Sequence, residues 1–131
     1  HNKDCLFIAT NLDSTYPGSH DRFYPGSGST SAPLMVSTGK KPLVMGKPQT
    51  LMLDVLAQKF HINRERTCMV GDRLDTDISF GLSGGLKTLL VFTGVATRAN
   101  LTDPHQAVHP HYITESIGEL FQLHQKVSKK E

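Results

Sequence analysis

Short apolar runs alternate with stretches in which apolar residues recur at helical spacing, and this alternation covers most of the chain. Cys5 to Thr10, Leu43 to Gly46, Thr67 to Val70 and Thr88 to Phe92 read as strands, and Tyr112 with Ile113 suggests a short last one. The run from Thr88 to Phe92 is almost continuously apolar, as a strand covered on both faces would be. Pro48 suits the first position of a helix in which Met52, Val55, Leu56 and Phe60 share one face. Leu74 to Ser83 predicts another helix, with Leu74, Ile78 and Leu82 on one stripe and Gly84 and Gly85 as its stop. Ser116 followed by Glu119 is a capping-box pattern ahead of a helix carrying Ile117, Leu120, Phe121 and Val127. Two segments are less regular. Asn11 to Gly28 reads as a polar loop, and Pro33 interrupts the helical pattern of Ser29 to Gly39.

Strand, helix, strand at intervals near 20 residues predicts right-handed crossovers and a parallel sheet with helices on its faces, an α/β fold. Such a sheet brings the C-terminal ends of its strands to one edge, where open α/β sheets bind ligands. Lys47, Asp72 and Thr93 each follow a strand end, so three separate stretches deliver polar groups to one place.

Composition narrows the function classes. With 131 residues and a hydrophobic fraction of 37%, the chain can bury a sizeable core without staples. A net charge of +2 supplies no field for nucleic acid or an anionic membrane, and the basic run Lys126 to Lys130 reads as a solvated tail. Cys5 and Cys68 lie in apolar runs and read as buried, reduced thiols of a cytoplasmic protein. No apolar stretch approaches the ~18 residues of a spanning helix. The chain begins without Met and enters an apolar run almost at once, which predicts a piece of something longer.

The densest chemistry is Gly71 to Ile78, GDRLDTDI, with Asp72, Asp75 and Asp77 at a strand-to-helix turn. Carboxylates this close repel unless a cation or protons intervene. Oxygen ligands without a Cys and His cluster favour Mg²⁺, which uses one or two carboxylates together with waters and substrate phosphate oxygens. Asp72 is the best direct ligand, whereas Asp75 suits the positive end of the following helix. Lys47, between a strand end and Pro48, is placed to project its ammonium onto a phosphate or onto the acidic cluster.

GKP, then a helix, then MVGDRLDTDI and TLLVFTGV together resemble the third and fourth motifs of haloacid dehalogenase (HAD)-type phosphatases, in the group of p-nitrophenyl, phosphoglycolate and pyridoxal phosphate phosphatases. FIATNLDSTYP and PGSG resemble the segment that precedes GKP in that group, so the likeness covers nearly the whole chain. The resemblance implies part of a Rossmann-like parallel-sheet core, residues 43–131, and the second half of an α/β cap domain, residues 1–42. It implies that Lys47 orients phosphate and carboxylate, that Asp72 binds Mg²⁺, and that Asp77 is an outer acid holding metal waters or Lys47. Asn11, Asp13, Tyr16 and His20 would stand in or beside the substrate-facing loop of the cap. The partner is then a small phosphate monoester, hydrolysed through an aspartyl phosphate, and a homodimer through the cap is a further expectation.

The chain departs from that pattern in two respects, and Pro33 in the cap helix, which bears on the helix and not on the chemistry, is the lesser. The chain contains no DxD followed by Gly-Thr, the motif that supplies the nucleophile and general acid; Asp75 to Asp77 run on into Ile78 and Ser79. The expectation is a C-terminal portion that is inactive alone. The alternative is a truncated or degenerate module that retains a binding or dimerising surface. His105, His109 and His111 resemble ligand spacing but pair with no Cys, and Ser27 to Thr30 lacks the Lys of a P-loop and reads as a turn before a helix.

Overall fold

The computed structural model describes residues 4–19 and 22–128. In chain order the elements are β1 (Ile8–Ala9), β2 (Thr15–Pro17), β3 (Phe23–Pro25), α1 (Ser27–Thr38), β4 (Leu43–Val44), α2 (Leu51–Phe60), β5 (Cys68–Gly71), α3 (Ser79–Ser83), β6 (Lys87–Val91), α4 (Arg98–Thr102), β7 (Tyr112–Thr114) and α5 (Gly118–Ser128). β6 is central to a three-stranded parallel sheet, with Val70 of β5 opposite Leu89 on one side and Ile113 of β7 opposite Leu90 on the other. β1 and β4 form a second parallel pair, Ile8 facing Leu43, so the stretch beginning at Leu43 is bonded to a strand near the start of the chain. The expected α/β architecture with parallel strands is therefore present.

The continuous apolar run is buried as its pattern requires: Thr88, Leu89, Leu90 and Val91 are all inside. Leu90 packs with Leu74, Ile78 and Ala96, and a second cluster joins Leu53, Phe80 and Leu86, with Met69 against it. Full burial of Ile78 and Leu90 contributes about 1.5–3 kcal/mol each. Thr88 keeps its polar atoms satisfied there: its N–H and hydroxyl meet His111 Nδ1 at 3.2 and 2.9 Å, and the His111 N–H donates to the hydroxyl. His111 thus ties β6 to the start of β7, and no group of three metal-ligating side chains exists among the described residues.

Several expectations are corrected. Asn11 to Gly28 is not simply a loop, because β2 and β3 pair antiparallel with Tyr16 opposite and stacked on Tyr24, ring centroids 5.5 Å apart. That cross-strand aromatic contact holds a hairpin too short to show an alternating pattern. α1 begins at Ser27 and runs through Pro33; the hydroxyls of Thr30 and Ser31 bond Ser27 O in the turn before it. α2 starts at Leu51 rather than Pro48, and its Met52, Val55, Leu56 and Phe60 stripe is exposed. The buried residue is Leu53, because α2 presents that side to Phe80 and Leu86.

The predicted helix from Leu74 opens with a wide π-type turn, Leu74–Ile78, in which the Ile78 N–H reaches Arg73 O at 3.0 Å. The Asp77 carboxylate in this turn accepts the N–H groups of Asp72 and Arg73, and turns of this type are frequent at functional sites. Leu82 of the expected stripe is exposed while Leu74 and Ile78 are buried. The reciprocal capping box stands at Thr97 and Asn100. Glu119 instead accepts from the Thr114 hydroxyl and the Glu115 N–H. Both cysteines are exposed, not core thiols. Desolvation still raises the Cys68 thiol above its ordinary pKa, so it is not an activated thiolate.

Candidate active site

Asp77 is the hub of the cleft. It lies in the π-type turn directly beneath the end of β5, where its side chain is only 6% exposed. Its Oδ2 accepts the N–H groups of Asp72 and Arg73, each at 3.1 Å, and its Oδ1 accepts Lys47 Nζ at 2.6 Å. Both carboxylate oxygens are committed, so Asp77 can hold Lys47 and the turn, and has little left for a metal. Lys47, 41% exposed, keeps two of its three donor directions for another ligand. It reaches the site from the loop after β4, 30 positions earlier in the chain.

Asp72 is placed by backbone from the loop after β6. Its Oδ2 accepts the Val95 N–H at 2.8 Å, and the Ala96 N–H donates to its carbonyl at 2.9 Å. A Cβ at Gly94 would lie 2.0 Å from Oδ2, so only a residue without a side chain allows this approach. Asp72 Oδ1 has no hydrogen bond among the described residues. One oxygen fixes the carboxylate, and Asp72 lines a cleft.

That cleft, about 280 Å³, is lined by Thr10, Asn11, Asp13, Lys47, Asp72, Arg73, Thr76 and Asp77, with Gly46 and Met52. Asn11, Asp13, Lys47, Asp72 and Asp77, five candidates separated by up to 66 positions in sequence, therefore share one space. Asn11 Oδ1 accepts the Asp13 N–H at 3.1 Å, closing the inside of its loop. Tyr16 is on β2, stacked on Tyr24 outside the lining, and His20 lies outside the described residues.

The residue patterns did not single out Thr10, Arg73 or Thr76 as site residues. The last two stand inside GDRLDTDI, so their neighbourhood was visible and their direction was not. Arg73 donates to Asp75 through Nε at 3.1 Å and Nη2 at 2.7 Å. Those bonds hold the Arg73 guanidinium above its ordinary range, with weaker attraction from Asp13 and Asp72, and they hold the Asp75 carboxyl below its own. Asp75 points away from the cleft and serves as a clamp on Arg73. The arrangement can meet an anion with Lys47, and it offers a carboxylate to a hard cation.

The chain is similar to several known proteins. Phosphoglycolate phosphatase 2 of Arabidopsis thaliana is 47% identical over 122 residues, which is 93% of this chain and 40% of that protein. The crystal structure of a 4-nitrophenylphosphatase from Thermotoga maritima matches with a TM-score of 0.80 at 38% identity, covering 89% of this chain and 44% of the other. A glycerol phosphate phosphatase from Mycobacterium tuberculosis, in complex with magnesium, matches with a TM-score of 0.75 at 34% identity over 85% of this chain and 33% of its own. The chain thus spans about two-fifths of the length of the curated relative described here. The HAD-hydrolase-like family model matches residues 44–120, more than half of the chain and the whole stretch from β4 into α5. By that match the chain belongs to the HAD-hydrolase-like family.

Proposed function

We propose that this chain supplies the metal-binding and charge-neutralising part of a phosphomonoesterase site for small phosphate esters of the p-nitrophenyl phosphate or phosphoglycolate type. The observation that carries the reading is the bonded set Lys47, Asp77 and Asp72 at one strand edge, facing Asn11 and Asp13 across the cleft. The relatives, which are named as phosphatases, support it.

The donor set fits Mg²⁺. Asp72 Oδ1 is a hard oxygen outside any hydrogen bond, and one such carboxylate, with waters and phosphate oxygens, is what this ion typically takes from a protein. When bound there, Mg²⁺ supplies Lewis-acid stabilisation of the charge on the transferring group. Lys47 then holds a phosphate oxygen while Asp77 fixes its ammonium, so that the positive charge is aimed before substrate arrives. Arg73 lines the same cleft, with its guanidinium charge paired to Asp75. Asn11 and Asp13 stand on the side of the ester's leaving group. Residues 1–42 act as the cap portion and residues 43–131 as the core portion, with the exposed Tyr16, Phe23 and Tyr24 hairpin as the surface for a cap homodimer. Free thiols at Cys5 and Cys68 suit a reducing compartment, and the cytoplasm is the one proposed. No helix among the described residues is long and apolar enough to cross a membrane.

No group in this set is placed as a nucleophile, and the covalent step belongs to an aspartate outside these 131 residues. The test is a phosphate-release assay on the purified chain with Mg²⁺, beside the full-length protein. The chain alone should be inactive, and addition of the polypeptide bearing a DxDGT motif should restore turnover. Robust release by the chain alone would refute this account of the missing nucleophile, and an inactive full-length protein would favour the reading as a binding module.

A further inference from the structure

α1 opens without a side-chain cap: its N-cap is Gly26, followed by Ser27, Gly28 and Ser29. The N–H groups of a first helical turn have no partner within the helix and must find one elsewhere. Here the N–H groups of the N-cap Gly26 and of Gly28 find the cleft loop, while that of Ser29 turns back to Gly26 O. The Gly26 N–H donates to Ser14 O and the Gly28 N–H to Asp13 O, both at 2.8 Å, and the Ser29 hydroxyl also donates to Ser14 O. The loop carbonyls take the place that a capping side chain would fill, at the end of the helix whose dipole favours them.

The contact leaves no room for a side chain. A Cβ at Gly26 would lie 2.2 Å from Asp13 O, and one at Gly28 would lie 2.3 Å from Leu12 O and 2.9 Å from Asp13 O. These are backbone atoms, so no rotamer change relieves the clash. Gly28 is inside α1, where Ala is the better helix former. A glycine at that position weakens the helix and gains the close seat of the loop.

We propose that Gly26, Gly28 and Ser29 are positioning residues for substrate, acting through residues 11–14 to set where Asn11 and Asp13 stand across the cleft from Lys47 and Asp72. The inference rests on the reading of the cleft as a phosphate ester site and adds to it the element that sets its width. A side chain at Gly28 pushes the loop off its seat while the Lys47, Asp72 and Asp77 wall stays in place, because no bond in that wall involves α1.

The experiment measures Mg²⁺-dependent phosphate release from p-nitrophenyl phosphate and from phosphoglycolate by the full-length protein. The variants are Gly28→Ala, Ser29→Ala and Ser29→Thr. Gly81→Ala is the control, since a Cβ there meets Thr88 and Met69 at 2.5 and 2.9 Å, within the core. Gly28→Ala should raise KM on the order of tenfold, with kcat within about threefold, the Mg²⁺ half-saturation unchanged, and a changed ratio of kcat/KM between the two esters. Ser29→Ala should move KM in the same direction by a smaller factor, and Ser29→Thr, which keeps the hydroxyl, should restore it. Gly81→Ala should lower the thermal midpoint without a KM change. Wild-type turnover with unchanged KM and ester ratio in Gly28→Ala and Ser29→Ala would overturn this inference alone. If Gly28→Ala does not fold, the Ser29 pair decides by the same criterion. Absence of turnover in the wild type would overturn the phosphatase reading and this inference with it.

Discussion

The two walls of the cleft are held by different means. On one side, Lys47, Asp72 and Asp77 are joined by charged side chains, with the buried Asp77 carboxylate accepting three donors. On the other, Asn11 and Asp13 ride on a loop seated backbone to backbone on α1. In the first wall, moving a group exposes or orphans a buried charge, so its geometry is bound to the stability of the fold. The second wall can shift by tenths of an ångström without stranding any charge. This division suits the proposed phosphate ester site, whose phosphate end would be constant and whose leaving group would vary.

Breaking the charged wall at its free oxygen should have the largest effect. Asp72→Asn keeps the hydrogen bond from Val95 but halves the carboxylate's capacity as a ligand, and loss of Lewis-acid stabilisation is worth several kcal/mol, a fall in turnover of about 100-fold or more. Phosphate release by the full-length protein, titrated with Mg²⁺, should show weakened metal activation with little change in folding. Unchanged metal dependence would remove Asp72 from the site.

Asp77→Ala should chiefly cost stability. It orphans the Asp72 and Arg73 N–H groups and leaves Lys47 unpaired, for about 3 kcal/mol, at the low end for a buried pair because Lys47 is partly solvated. The urea midpoint reads this loss, and Asp77→Asn, which retains an acceptor, should lose less. Equal midpoints for wild type and Asp77→Ala would show that the wall is not tied to the fold as argued.

The smallest effect is expected at Asp75, two positions away. Its carboxyl is held below the ordinary range by the Arg73 guanidinium, so its contribution to stability is present above about pH 4, where an unfolded carboxyl ionises, and is lost as pH falls through the lower folded value. The pair is largely solvated, so the difference between wild type and Asp75→Asn should be slight at pH 7 and vanish once the folded carboxyl is protonated. A thermal-midpoint difference that grows on acidification would reverse the sign worked out here.

The acidic residues Asp75 and Asp77 looked alike in the sequence, and packing separated them. GDRLDTDI read as a candidate cation site because repulsion among close carboxylates is a local property, legible from spacing. Which carboxylate turned inward was settled in the folded chain, where Asp77 is buried in the wide turn and accepts the Asp72 and Arg73 N–H groups after β5. The PGSG segment read as a turn before a helix for the same reason: its meaning lies in the carbonyls of Leu12 to Ser14, a dozen or more residues away.

By itself the sequence determined the strand runs, above all Thr88 to Phe92, the parallel α/β order, and the meeting of Lys47 with the acidic cluster, since these follow from local apolar pattern and the geometry of crossovers. Tertiary structure alone decided that α2 buries Leu53 and not its regular stripe, that Cys5 and Cys68 are exposed, that Tyr16 and Tyr24 pair in a hairpin, and that α1 carries the cleft loop. The physical reason is that periodicity shows which residues share a face and says nothing of what that face meets. Burial, exposure and the direction of a carboxylate are set by neighbours brought together from distant parts of the chain.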